Sequence, residues 1–141
     1  MAERPSLQQS AAAEQMRGTR MRAWFEHLVA ASRWSASGVA ILFRGETAAR
    51  MELAGGLAAL VWIVVLGRSL AEIGVYLVLV FASFSVEAIN TAIEEIVDRV
   101  SPERSEFARR AKDLGSAAVM FMLVATSLYV GMLTIATLLG R

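Results

Sequence analysis

The sequence predicts an all-α membrane protein, with three transmembrane helices preceded by an amphipathic helix on the membrane surface. Three observations carry that prediction. Hydrophobic residues make up 56% of the 141 and charged residues only 19%, against roughly 25% charged in ordinary soluble domains, and mean hydropathy is +0.52. Three long stretches are almost free of charge. Arginine and lysine crowd alternate connections, as an odd number of crossings requires.

The elements follow in order. Residues 1–19 are polar and rich in Ala and Gln, with Pro5 and no apolar period, and read as a disordered tail. No apolar core stands near the start, as a secretory signal would need. Residues 20–44 form the expected surface helix. Met21, Trp24, Phe25, Leu28 and Ala31 recur at helical spacing, while Arg20, Arg22, Glu26 and Arg33 lie largely elsewhere on the wheel, the pattern of an interfacial helix. Val39 to Phe43 is a second apolar run, too brief to span.

The first span, about 47–67, contains Leu53 to Leu66, interrupted only by Gly55 and Gly56 and bounded by Arg50 and Arg68. The second, about 70–98, opens with the uncharged run Ile73 to Val86 and continues into a polar-striped segment, Glu87 to Asp98. Residues 99–112 are expected as a loop. The third span, about 113–139, has no charged residue from Leu114 to Leu139. Crossing ~30 Å of hydrocarbon takes ~20 helical residues. The third stretch meets this outright, and the other two do so once their polar ends reach the headgroups. Gly55, Gly56, Ala58 and Ala59 would permit close helix contact, although such residues are also ordinary span composition.

Orientation comes from the basic residues. Arg4, Arg17, Arg20, Arg22, Arg33, Arg44 and Arg50 precede the first span, and Arg99, Arg104, Arg109, Arg110 and Lys112 lie between the second and third. The remaining connection holds Arg68 and the C-terminus Arg141. The N-terminus and the 99–112 segment are therefore expected to be cytoplasmic and the C-terminus periplasmic, in a bacterial inner membrane.

Composition also excludes chemistry. A net charge of +1 gives no global field for nucleic acid, and the absence of cysteine removes disulfides, thiolate metal sites and a thiol nucleophile. One histidine, His27, is too few for a multi-histidine zinc site. A metal would have to be a hard cation held by carboxylates, which suits magnesium or calcium. Thirteen arginines accompany a single lysine, Lys112, beside Asp113. A coding bias accounts for the thirteen but not for the one.

Glu87, Asn90, Glu94 and Asp98 are spaced by 3, 4 and 4. At ~100° per residue the three carboxylates lie within roughly 20° of one direction and Asn90 about 60° to one side, along about 16 Å of helix. A charge run on a soluble helix is usually a solvated face. On a membrane span each acid costs ~2.5 kcal/mol or more unless paired, protonated or bound to a cation, so Glu87 and Glu94 read as functional. Glu95 points away from the stripe, and Asp98 fits a plain helix-end charge equally well. Such acids can divide labour, one ligating Mg²⁺ and another taking a proton, while Arg109, Arg110 and Lys112 compensate phosphate charge. Gly115 and Ser116 are expected to open the third helix, offering free backbone amides and a hydroxyl. No GxxxxGK[ST] loop and no protein-kinase motif occurs, so bound ATP would be held without a P-loop. A small transporter or proton relay would also place acids inside a bundle. It leaves Lys112 and Asp113 without a task, and no inverted repeat supports it.

The segment Glu87-Ala-Ile-Asn90-Thr91-Ala-Ile-Glu94-Glu-Ile-Val-Asp98, followed by Arg110-Ala-Lys112-Asp113 and Gly115-Ser116-Ala-Ala, resembles the prokaryotic diacylglycerol kinase family, whose E-x-x-N-[ST]-x-x-E-x-x-x-D pattern it satisfies throughout. The resemblance runs from about Trp24 to the end. It implies a homotrimer in the inner membrane, with active sites formed between protomers, and Mg·ATP-dependent phosphorylation of diacylglycerol to phosphatidic acid. It implies that Glu87 is the catalytic base, that Glu94 and Glu46 bind the metal, and that Asn90, Glu94, Asp98, Lys112, Asp113 and Glu46 line the nucleotide site, with Lys112 on the phosphates. Glu52 and Ser116, with Glu87, fall to the lipid substrate. His27, Ala36 and Met51 depart from the Arg, Trp and Gln usual there, which bears on headgroup contacts rather than on the chemistry. A related branch phosphorylates undecaprenol. The Asp98-Arg99 pair and the Arg-rich loop look more like the diacylglycerol branch.

Overall fold

Helix ends in this chain fall where single residues can stop or start a helix. The computed structural model describes residues 7–103 and 105–140, and these form four helices: α1 (Leu7–Gly45), α2 (Thr47–Val65), α3 (Leu70–Val100) and α4 (Glu106–Leu138). No strand occurs among the described residues. α1 and α2 are separated by one residue, Glu46, whose backbone is extended (φ −99°, ψ 118°) while its N–H still donates to Leu42 O at 3.0 Å.

α2 ends in a Schellman motif. Gly67 takes the left-handed conformation (φ 69°), its N–H donates to Val64 O at 2.9 Å, and the Arg68 N–H donates to Ile63 O at 3.3 Å, satisfying carbonyls the helix end would leave bare. Ser69 then caps α3 in a reciprocal capping box. The Glu72 N–H donates to Ser69 Oγ (3.3 Å) and the Ser69 N–H to Glu72 Oε2 (2.8 Å), the S-x-x-E arrangement expected of a helix start. Arg68 pairs with Glu72 across the same turn. α4 starts on Ser105, whose Oγ accepts from the Ala108 N–H at 3.1 Å.

Among the described residues, α2, α3 and α4 are long and apolar enough to cross a membrane, with mean hydropathies of 1.6, 1.8 and 2.0 over their most apolar 18 residues. The three expected spans are present, in a membrane protein that is all-α. The details differ from the sequence reading at two points. α1 begins at Leu7, inside the segment read as tail, because Gln8, Gln9, Ala11, Ala12, Ala13 and Glu14 are strong helix formers even without an apolar period; residues 1–6 lie outside the described residues. α4 begins at Glu106 rather than near 113, so the connection between α3 and α4 is confined to 101–105. Hydropathy marks where a helix becomes apolar, and the serine cap marks where it starts.

The chain divides into two compact units, residues 1–40 and 41–141. In the first, α1 stacks Trp24 on Phe25 edge to face, centroids 5.6 Å apart, and exposes Met21, Trp24, Phe25, Leu28 and Trp34. In the second, α3 and α4 pair most extensively and α2 lies against both. Ile63, Tyr76 and Leu133 form the buried centre, surrounded by Ala59, Leu60, Ile73, Val80, Tyr129 and Val130. Three ring donors find partners across helices: Tyr76 donates to Gly56 O (2.7 Å), Tyr129 to Glu72 O (2.9 Å) and Trp62 Nε1 to Thr134 Oγ1 (3.0 Å). Ser83, Ser85, Thr126, Thr134 and Thr137 each donate to the carbonyl four residues back, which keeps hydroxyls satisfied where lipid offers no partner. Of the small residues on α2, Gly56 meets α3, with Tyr76 Oη 3.6 Å and Val80 3.9 Å from where its Cβ would stand, whereas nothing lies within 4 Å of Gly55.

Candidate active site

The stripe on α3 grades from buried to exposed. Glu87 retains 4% of its surface, Asn90 and Glu94 are half-buried, and the Asp98 side chain is 66% exposed. Glu95, off the stripe, is exposed. Periodicity had placed the three acids on one face; packing against the neighbouring helices sets how deep each lies.

Glu87 is the centre of an acidic group. Glu46, at the joint between α1 and α2, and Glu94, two turns along α3, both lie within electrostatic range of it, as does Glu52 of α2. No described residue donates a hydrogen bond to the Glu87 carboxylate. Glu94 is held by its neighbour one turn back, with Asn90 Nδ2 donating to Glu94 Oε1 at 3.1 Å; its Oε2 accepts none among the described residues. Glu46 makes no side-chain cap to α2, and its carboxylate is given no hydrogen bond by the described residues. Among the described residues, two side-chain atoms are buried without a partner, Glu52 Oε2 and Asn90 Oδ1.

At the end of the bundle bearing the α3–α4 connection, Lys112 Nζ lies 2.6 Å from Asp98 Oδ1. This ion pair ties the last turns of α3 to the first turns of α4. Asp113 is engaged within its own helix, accepting from Arg109 at 3.0 Å on the exposed surface of α4. A groove beside them is lined by Asp98, Ser101, Ser105, Arg109 and Lys112. Thus Asp98 and Lys112 come together, while Asp113 pairs with Arg109.

Gly115 and Ser116 do not open a helix. They sit in the third turn of α4, where backbone amides are already spent on intrahelical bonds, because Ser105 starts the helix well before them. Ser116 retains its exposed hydroxyl. Gly115 is buried against Asn90: a Cβ there would overlap Asn90 Oδ1 and stand 3.2 Å from its Cγ. The spacing of the stripe carried no sign of this contact, since it joins two helices.

No three acids or histidines among the described residues converge on one metal position. An all-protein cation cage is therefore absent there. Mg²⁺ asks less, since it commonly takes one or two carboxylates and completes its shell with waters and substrate phosphates. Glu94 with a free Oε2 and Glu46 with an uncommitted carboxylate fit that demand. A second groove, about 490 Å³, runs between α2, α3 and α4, with Glu52 on its wall and Tyr76, Ser83, Phe84, Thr126 and Ser127 along it.

Fold and site together define a small integral-membrane protein with an acidic centre on one span and a lysine at the span's end. The model of the prokaryotic diacylglycerol kinase family matches residues 33–135, which take in all of α2 and α3 and most of α4. The chain belongs to the prokaryotic diacylglycerol kinase family and is a lipid kinase. It is 45% identical over 103 residues to a diacylglycerol kinase of Sinorhizobium sp, covering 73% of this chain and 74% of that one. It is 36% identical over 105 residues to the diacylglycerol kinase of Escherichia coli K12, covering 71% and 82%. The Haemophilus influenzae diacylglycerol kinase is 35% identical over 97 residues, covering 69% and 82%. A transporter or proton relay, which the acids alone left open, gives way to a kinase.

Proposed function

We propose that the protein transfers the γ-phosphoryl group of ATP to the free hydroxyl of diacylglycerol, giving phosphatidic acid, at the cytoplasmic face of a bacterial inner membrane. The relatives' names supply the lipid, and the excess of basic residues around 99–112 supplies the side. The observation that carries the reading is Glu87: a buried carboxylate on a membrane span, given no hydrogen bond by the described residues and surrounded by further acids. A charge so placed is costly, and a substrate hydroxyl that donates to it offsets that cost.

In this reading Glu87 accepts the proton from the lipid hydroxyl as the oxygen attacks phosphorus. Glu94, steadied by Asn90, and Glu46 would hold Mg²⁺, which when bound neutralises phosphate oxygens and orients them for in-line attack. Lys112 exchanges Asp98 for the nucleotide phosphates, and Asp98 and Asp113 border the nucleotide. Glu52, on the groove among the spans, and Ser116 face the lipid. The groove is lined mainly by apolar groups, which suits an acyl chain beside a polar headgroup. The active species is a homotrimer whose sites are shared between protomers.

Transfer from labelled ATP in mixed micelles, offering diacylglycerol and undecaprenol separately, tests this. Label in phosphatidic acid is expected. Label only in undecaprenyl phosphate would move the protein to the other branch, and full activity in Glu87→Gln would remove Glu87 as base.

A further inference from the structure

Glycine inside a helix is a cost in stability, and a reason for it must be sought in its surroundings. For most of the described glycines a Cβ would meet open space, and at Gly56 it would make ordinary contacts of 3.6–4.0 Å. Gly115 is the exception. A Cβ there would overlap Asn90 Oδ1 and approach Asn90 Cγ to 3.2 Å and Cβ to 3.8 Å. The Asn90 amide therefore occupies the space that a side chain at 115 would fill. Its Oδ1 is buried there with no partner, and its Nδ2 is turned outward to Glu94 Oε1 at 3.1 Å.

The sequence of contacts runs one way. Any side chain at 115 must displace the amide, and displacing it removes the hydrogen bond that orients Glu94. An asparagine with one end buried unsatisfied is an expensive way to pack two helices. It is intelligible if the other end has to be aimed. We propose that Gly115 is a positioning residue for the phosphoryl-transfer site: its missing side chain seats Asn90, and Asn90 aims Glu94. The inference rests on reading Glu94 as a Mg²⁺ carboxylate, and it adds a residue from another helix to the apparatus that holds it. A purely structural glycine would serve α3–α4 packing as well with alanine in place of Asn90. A seat for Asn90 would then have nothing to seat.

The test is a double-mutant cycle in the full-length protein in micelles, with Gly115→Ala, Asn90→Ala and the pair, reading both the transfer rate and the Mg²⁺ concentration at half-maximal rate. Outer groups that orient a ligand typically change affinity or activity 10- to 100-fold. Each single variant is expected to lower the rate and raise half-saturation by about that range, and the pair is expected to be no worse than Asn90→Ala alone. Should Gly115→Ala fail to fold, the step from Asn90→Ala to the pair still decides, because Asn90→Ala removes the Oδ1 and Cγ that the new methyl group would overlap and leaves a Cβ at an ordinary contact distance of 3.8 Å; there Gly115→Ala should cost nothing in rate or thermal midpoint. Losses that multiply, or a Gly115→Ala protein with unchanged Mg²⁺ half-saturation while Asn90→Ala shifts it, would overturn the seat. A non-additive cycle alongside a Glu94→Gln variant with normal Mg²⁺ dependence keeps the seat and removes the metal from Glu94.

Discussion

The roles proposed for Glu87 and Lys112 differ, as their positions do. Glu87 is buried on α3 and Lys112 is paired with Asp98 at the end of that helix, so their variants should fail differently. Glu87→Gln keeps shape and loses the proposed proton acceptor; the transfer rate should fall on the order of 10²- to 10⁴-fold, with the KM for ATP little changed. On the proposed role, Lys112→Ala removes a point charge from the phosphates and should raise the KM for ATP at least as much as it lowers kcat; a variant with normal ATP saturation would detach Lys112 from the nucleotide. At this scale the sequence was informative wherever the relation lay within one helix. The face shared by Glu87, Glu94 and Asp98 and the i, i+4 relation of Asn90 to Glu94 follow from 3.6 residues per turn. The pairing of Asp98 with Lys112 and the contact of Asn90 with Gly115 join different helices, and no spacing encodes them.

The α2–α3 turn is the best-specified local element. Gly67 ends one helix and Ser69 begins the next, with Arg68 between them paired to Glu72. Ser69→Ala should reduce stability by about 1 kcal/mol through the lost cap. Gly67→Val should cost about 1–2 kcal/mol because its φ of 69° is unfavourable for a side chain. Thermal unfolding in detergent, with transfer activity at low temperature as the control, reads both. If Gly67→Val proved neutral, the left-handed turn would not be maintained in solution. The same logic explains why α4 starts earlier than hydropathy suggests. Glu106 to Asp113 is charged on much of its surface, yet Ser105 caps it and Arg109 bonds Asp113 one turn on. Polar helix and loop look alike to a hydropathy profile, and only the hydrogen bonds tell them apart.

The whole molecule buries little of itself. Its described core is centred on Ile63, Tyr76 and Leu133, while Phe81, Ile89, Ile96, Phe107, Leu114 and Phe121 stay exposed on α3 and α4. In a bilayer such surfaces meet acyl chains or other copies of the chain, and helices associate there by packing and hydrogen bonds rather than by a hydrophobic drive. Light scattering corrected for detergent should give three times the 15.3 kDa protomer; a monomer with full activity would end the proposal of shared sites. Tyr76→Phe, which removes the bond to Gly56 O, should lower stability by about 0.6 kcal/mol and no more than about 1.7. The sequence by itself determined the number of spans, their order and the acidic face of the second, because apolar length and helical period are properties of one segment at a time. Tertiary structure alone decided which acids surround Glu87, which residue pairs with Lys112 and why residue 115 is a glycine. Those depend on how closely α2, α3 and α4 approach, and that distance is set by side chains meeting across helices.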